Sequence, residues 1–246
     1  MTESATVLFV SDLHLDSARP AITELFLTFL RGEARSAAAL YILGDLFEAW
    51  IGDDDPDPHH ARVMDAMREL ADSGVPGFFM HGNRDFLVGP AFAERTGFSL
   101  LDDPALIELD GEPTLLMHGD TLCTDDHEYQ AFRQQVRNPD WQAAFLAQPV
   151  EKRRAFAAEA RRQSREAQTG KADAIMDVNA QAVAQAFRDH NVRRLIHGHT
   201  HRPAVHAVNV DGLDAQRIVL GDWYEQGSVL RCRGGECRLE VLENAS

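Results

Sequence analysis

The side chains of this sequence that could do chemistry gather in five short clusters: Ser11-Asp12-Leu13-His14, Gly44-Asp45, His81-Gly82-Asn83-Arg84-Asp85, His118-Gly119-Asp120 and Gly198-His199-Thr200-His201. Among them Asp12, His14, Asp45, Asn83, His118, His199 and His201 offer seven oxygen or imidazole donors and no thiolate. That is more than one metal ion takes. Two ions sharing a carboxylate would use all seven and keep positions open for water or phosphate, and a mixture of hard oxygen and nitrogen donors suits manganese, iron or zinc. Asp45, with two oxygens, is the natural bridge. Such a pair of ions lowers the pKa of bound water, polarises phosphoryl oxygens and stabilises the charge of an in-line displacement. Asp12 and His14 stand two apart, on one side of an extended segment, and His199 and His201 repeat that spacing, so both pairs are expected to aim inward. Singly, each cluster has an ordinary explanation: a helix cap for Asp12, turns for Asp45 and Asn83, a hydrogen-bonded core position for His118. Those explanations are hard to sustain for all of them at once. Gly44, Gly82, Gly119 and Gly198 beside the donors permit tight turns and close backbone approach.

Positioning such clusters requires a rigid frame. Runs at Ala5 to Val10, Ala39 to Leu43, Gly77 to Met80 and Thr114 to Met117 are apolar enough to be strands buried on both faces, and each is followed by one of the polar clusters. Helical stretches separate them, as in a layered α/β domain, where ligands collect at the carboxyl ends of strands. From about 124 to 190 the pattern turns helical, with Trp141, Phe145, Leu146 and Phe156 among many alanines, and reads as a helical cap inserted into a single domain spanning 1–246. Strand-like runs resume at Arg194 to Ile196, Ala204 to Val210, Arg217 to Leu220, Ser228 to Cys232 and Cys237 to Leu242.

The 246 residues carry 24 Lys and Arg against 39 Asp and Glu, a net charge of −15 that repels nucleic-acid phosphates. No nucleic-acid partner is expected, and no protein partner is evident. Seven bases (Lys152, Arg153, Arg154, Arg161, Arg162, Arg165, Lys171) and three acids fall within 151–171, a basic stretch in an acidic chain. No apolar run reaches the about 18 residues of a membrane span, and the first residues lack the layout of a signal peptide, so the chain is expected to stay in the cytoplasm. Cys232 and Cys237 flank a Gly234-Gly235 hairpin turn that sets them opposite each other. A disulfide is conceivable there, but in a reducing compartment two small apolar residues are expected. His59, His60, His190 and His206 have no partners at ligand spacing and are expected to be solvated or to cap. His81 and His197 are expected to pack behind the donors and orient them.

In order and spacing, Asp-x-His, Gly-Asp, Gly-Asn-x-Asp, His and Gly-His-x-His resemble the calcineurin-like metallophosphoesterase superfamily across Asp12 to His201. The resemblance implies an α/β fold, a two-sheet β-sandwich flanked by helices, with a dinuclear centre at its edge. It assigns Asp12, His14, Asp45 and His201 to one ion and Asp45, Asn83, His118 and His199 to the other. Many members place histidine after the motif asparagine to assist the leaving group, whereas this chain has Arg84. Arginine does not give up a proton at neutral pH. A phosphate leaving group needs charge neutralisation more than protonation, and a guanidinium fork supplies that. The ordinary alternative is an ion pair between Arg84 and Asp85 or another nearby acid.

Longer runs, 41–54, 118–126, 175–179 and 197–203, are similar to the family of UDP-2,3-diacylglucosamine pyrophosphatases of lipid A biosynthesis. This implies hydrolysis of UDP-2,3-diacylglucosamine by water attack on the α-phosphorus, giving 2,3-diacylglucosamine 1-phosphate and UMP, with two Mn2+ per subunit. It also implies peripheral attachment to the cytoplasmic leaflet of the inner membrane. Catalytic roles carry over to Asp45, Asn83, Arg84 and His118, and substrate contacts to Asn83, Arg84, Asp126, Ser164, Gln168, Lys171 and His199. Gln168 stands where the family more often has asparagine. The bases of the insertion would pair with the pyrophosphate or hold the cap on an anionic leaflet. Trp141, Phe145 and Phe156 either line an acyl pocket or bind the cap helices to one another. The alternative is a dinuclear phosphoesterase acting on a soluble nucleotide or phosphoprotein.

Overall fold

The computed structural model describes residues 5–168 and 177–243. In chain order its elements are β1 (Val7–Val10), α1 (Pro20–Arg31), β2 (Ala39–Leu43), α2 (Pro58–Asp72), β3 (Gly77–Met80), α3 (Pro90–Thr96), β4 (Ser99–Leu101), β5 (Ala105–Leu109) and β6 (Glu112–Met117). There follow α4 (His127–Val136), α5 (Pro139–Leu146), α6 (Val150–Gln168), α7 (Ala180–His190), β7 (Arg194–His197), β8 (Ala204–Val210), β9 (Leu213–Val219), β10 (Gly227–Arg233) and β11 (Glu236–Leu242). Proline in the first turn starts α1, α2, α3 and α5, where its missing N–H costs nothing. Side chains of Asp57, Asp126, Asn138 and Asn179 accept the free N–H groups of α2, α4, α5 and α7.

The strands assemble into two sheets, β11-β10-β1-β2-β3-β4 and β5-β6-β7-β9-β8. Side-chain alternation decides the layers. In β1, Leu8 and Val10 point to a core shared with Phe26 of α1 and Val63 of α2, while Phe9 points to the second sheet. Leu43, Met80, Leu116, Ile196 and Ile218 join Phe9 between the sheets. On the outer face of the second sheet, Leu115 and Leu195 meet Val183 and Phe187 of α7. The result is helix, sheet, sheet, helix. Within it β1, β2 and β3 run parallel to one another, as do β6 and β7.

Two strands have no counterpart in the sequence reading. β4 is three residues long, too short to show a period, and β5 is an edge strand whose Leu106 is exposed. β9 also starts earlier than expected, at Leu213. The cysteine expectation is corrected: Cys232 and Cys237 lie directly opposite in the β10–β11 register and are joined as a disulfide, whereas Cys123 takes no part in a disulfide and is buried. His60 is not solvated either. It is 8% exposed and packs between Phe47 and Trp50 at ring separations of 4.4 and 5.1 Å.

Candidate metal centre

The loops that leave β1, β2, β3, β6 and β7 meet, and all seven sequence-predicted donors come together there. His14 Nε2 lies 3.2 Å from His201 Nε2, and His201 Nε2 lies 3.3 Å from Asp12 Oδ1. His118 Nε2 and His199 Nδ1 are 3.0 and 2.9 Å from Asn83 Oδ1. Asp45 stands between the two groups, with Oδ2 3.7 Å from His14 and Oδ1 3.9 Å from His118. Asp12, His14, Asp45 and His118 are buried.

The inward aim has a different cause from the one expected. Asp12, His14, Asp45, His199 and His201 all have positive φ, between 48° and 69°. The segment from Asp12 to His14 is therefore not an extension of β1 but a left-handed kink at two residues, held by N–H bonds from Asp12 to Gly44 O and from His14 to Asp45 O. Non-glycine residues seldom occupy this region, and strain of this kind collects at functional sites. The glycine expectation holds, most plainly at two positions: a Cβ on Gly82 would overlap Asp45 Oδ1, and one on Gly198 would overlap Asp12 Oδ2.

Neighbouring groups fix each donor. Asp12 Oδ2 accepts from Ser11 Oγ at 2.6 Å and from the His199 N–H at 2.9 Å, while among the described residues its buried Oδ1 accepts no hydrogen bond and faces His201 Nε2 at 3.3 Å. His118 Nδ1 donates to Leu43 O at 2.9 Å, which fixes the ring and points Nε2 at Asn83 Oδ1 among the donors. Asp85 accepts the N–H groups of Asp45, Leu46 and Gly82, so its carboxylate shapes the loops rather than pairing with Arg84. Among the described residues Arg84 forms no ion pair; its side chain faces the cavity beside the donors. His197 Nδ1 donates to Gly198 O and its Nε2 accepts from Arg217, and burial pushes it down to about 3, so it packs as a neutral orienting group.

Electrostatics favour cations here. Burial alone would push His118 down, but the carboxylates of Asp45, Asp120 and Asp12 outweigh it and raise it to about 9; His201 is likewise raised against burial by Asp12. Despite its burial, Asp12 is held well below the ordinary carboxylate range by His201, His118 and His14. Buried carboxylates whose charge raises His118 and His201, a buried Asp12 oxygen facing the other donors, and a donor set free of sulfur all fit divalent cations. Asp12, His14 and His201 form one group of ligand atoms within 4.8 Å of one another; Asp12, Asp45 and His118 form a second.

Sequence reasoning missed three neighbours. Glu48 Oε2 lies 3.2 Å from His14 Nδ1, Asp222 Oδ2 lies 3.7 Å from His201 Nδ1, and Tyr224 packs on both rings. None sits at a spacing that marks a ligand, and only the fold brings them in.

The centre opens on a cavity of about 530 Å³. Asn83, Arg84, Asp126, Ser164, His199 and His201 line its polar part, and Trp50, Phe86, Phe132, Trp141, Phe145 and Phe156 its apolar part. Trp141, Phe145 and Phe156 also stack on one another at 4.9 to 5.7 Å, so they both hold the cap helices together and wall the cavity. Lys171 and the side chain of Gln168 lie outside the described residues. Two bases of the insertion are committed elsewhere: Arg153 is forked onto Asp54 and also donates to Ile51 O, and Arg154 pairs with Asp55. Arg162 pairs with Glu159 and Glu166 of its own helix, whereas Arg161 faces the cavity. From α4, Tyr129 and Arg133 bind the buried Asp120 at 2.6 and 2.7 Å, tying the cap to the floor of the site.

These features form a candidate two-metal site, and the chain belongs to the calcineurin-like phosphoesterase family, whose model matches residues 5–203. Its similarity runs further, over 96% of its length, to the UDP-2,3-diacylglucosamine hydrolases of Xanthomonas oryzae pv. oryzae (strain PXO99A), at 58% identity and 98% coverage of that protein, and of Stenotrophomonas maltophilia (strain K279a), at 55% and 98%. A solved archaeal phosphodiesterase shares the fold with a TM-score of 0.50 at 14% identity, covering 96% of this chain and 99% of the other.

Proposed function

We propose that this chain hydrolyses the pyrophosphate of UDP-2,3-diacylglucosamine, with water attacking the α-phosphorus and UMP and 2,3-diacylglucosamine 1-phosphate as products. The relatives that match nearly its whole length carry that substrate in their name. The observation that carries the reading is the cavity: Asn83, Arg84, His199 and His201 of the donor cluster line part of it, and a wall of aromatic rings lines the rest. A phosphate at one end and acyl chains at the other use both. A soluble nucleotide would leave the aromatic wall bare.

Asp12, His14, Asp45 and His201 would hold one divalent cation and Asp45, Asn83, His118 and His199 the second, with Mn2+ as the proposed ion. When bound, the two cations supply a water of lowered pKa and neutralise phosphoryl charge. The chain's own residues do the rest. Arg84 offers its fork to pyrophosphate oxygens and offsets charge on the departing sugar phosphate. Asp126 and Ser164 line the cavity as hydrogen-bonding groups, and the family resemblance adds Gln168 and Lys171 as substrate contacts. Trp141, Phe145 and Phe156 exclude water from the acyl chains. Peripheral attachment to the cytoplasmic leaflet of the inner membrane is supported by Phe132, Leu146 and Phe156 on the cap helices, each about 40% exposed. No helix among the described residues is long and apolar enough to cross a membrane.

The test is phosphorus NMR of the products formed from UDP-2,3-diacylglucosamine in 18O-water with Mn2+. Label in UMP is expected. Label in the sugar phosphate would overturn the site geometry, and equal turnover of de-acylated UDP-glucosamine would overturn the acyl role of the aromatic wall.

A further inference from the structure

A second group of metal-type donors lies apart from the seven, where the loop after Gly52 enters α2. Asp55, Asp57 and His60 place one oxygen each and one imidazole nitrogen within 4.8 Å of one another. His60 is 8% exposed, makes no hydrogen bond among the described residues, and keeps its Nδ1 buried without a partner. A buried imidazole without a partner costs stability unless something takes its lone pair. The ring cannot turn freely to find water, because Phe47 and Trp50 pack on it. Asp57 is fixed as well, since its Oδ1 accepts the His59 N–H at 2.8 Å. Two carboxylates and one imidazole form a three-ligand set with a position left for water, the composition that zinc-class ions accept.

We propose that Asp55, Asp57 and His60 form a peripheral site for one divalent ion of the zinc class, separate from the dinuclear centre, and that this ion competes with the cap for Asp55. The competitor is Arg154 of α6, whose guanidinium donates to Asp55 Oδ1 at 2.5 Å. A dication and a guanidinium on one carboxylate repel each other, so the ion weakens the Arg154 contact and Arg154 weakens the ion. The neighbouring clasp of Arg153 on Asp54 is untouched and keeps α6 attached. The ion would thus loosen one fastening of the helix that carries Phe156 and Ser164 into the cavity.

The test is equilibrium dialysis of the full chain against Zn2+ with metal counted per chain. His60→Phe keeps the aromatic packing and removes the nitrogens, so the wild type is expected to hold one ion more than this variant, whatever number the dinuclear centre holds in both. Equal counts would overturn the site. Arg154→Ala frees Asp55 and is expected to tighten the extra ion at least fivefold; unchanged affinity would overturn the competition. Retention of the UDP-2,3-diacylglucosamine activity by His60→Phe separates failure of this site from failure of the catalytic reading.

Discussion

Tyr224 lies flat against His14, with ring centroids 5.2 Å apart and planes inclined by 4°, and the same ring reaches His201 at 5.5 Å. The Arg19 guanidinium sits over it, 4.8 Å from its centre, and also donates to the His14 carbonyl. The tyrosine thus restrains two donors of one metal group without contributing a ligand atom. Groups that orient ligands in this way typically set about 10- to 100-fold of metal affinity. Tyr224→Ala is expected to weaken Mn2+ binding about tenfold, with Tyr224→Phe close to wild type, as read by metal titration. Equal weakening in both variants would shift the role from the ring to the hydroxyl.

Asp45 and Arg84 should separate metal binding from leaving-group assistance. Asp45→Ala removes the carboxylate between the two donor groups and is expected to abolish turnover with loss of metal. Arg84→Ala should lower kcat by about 10² to 10³ with metal content intact, the scale of one lost charge-stabilising donor. Metal analysis beside steady-state kinetics checks both, and equal metal loss would contradict the division.

Gly82→Ala forces a methyl group into Asp45 Oδ1. Overpacking of this kind costs about 1–3 kcal/mol. A lower melting temperature together with reduced Mn2+ affinity is the expected outcome. An unchanged melt would mean that Asp45 yields, and with it the donor spacing.

The pH dependence of stability should carry the mark of His197. Its folded pKa, about 3, is below that of an unfolded histidine, so the unfolded chain binds the extra proton between those values. The contribution is complete above about pH 6.5 and is lost as pH falls toward 3, at up to about 1.4 kcal/mol per pH unit. Urea midpoints measured at pH 7 and 5 should therefore diverge more for the wild type than for His197→Gln.

Arg153 is 1% exposed, and it holds α6 on Asp54 and Ile51. Arg153→Ala should make α6 an early site of limited proteolysis and raise KM more than it lowers kcat, because the cap walls the cavity without touching the reacting atoms. A pure kcat effect would place this clasp closer to the chemistry than its position suggests.

Much of the site was legible because the donors follow strand ends, with Asp45, Asn83, His118 and His199 directly beside a glycine, and strand runs such as Ala39–Leu43 and Gly77–Met80 declare themselves by burial on both faces. What stayed hidden has physical causes. Left-handed backbone at Asp12 or His201 leaves no trace in residue type, so an i, i+2 spacing looked like a strand when it was a kink. Glu48 and Tyr224 reach His14 from different parts of the chain, and no spacing relates them. The pairing of Arg153 and Arg154 with Asp54 and Asp55 spans 99 residues, so a basic stretch read alone looked available for an external partner. The disulfide was a matter of weighing compartment against register.

Five of the seven donors stand where a glycine or asparagine would rest more comfortably. Exchanging one of them for such a residue relieves the backbone while destroying the site, so ligand positions are places where a broken protein gains ease of folding. Propagated in the laboratory under a demand for heat tolerance alone, this sequence would shed its metal centre before it shed its core. Only a continuing demand for turnover keeps those five side chains where they are.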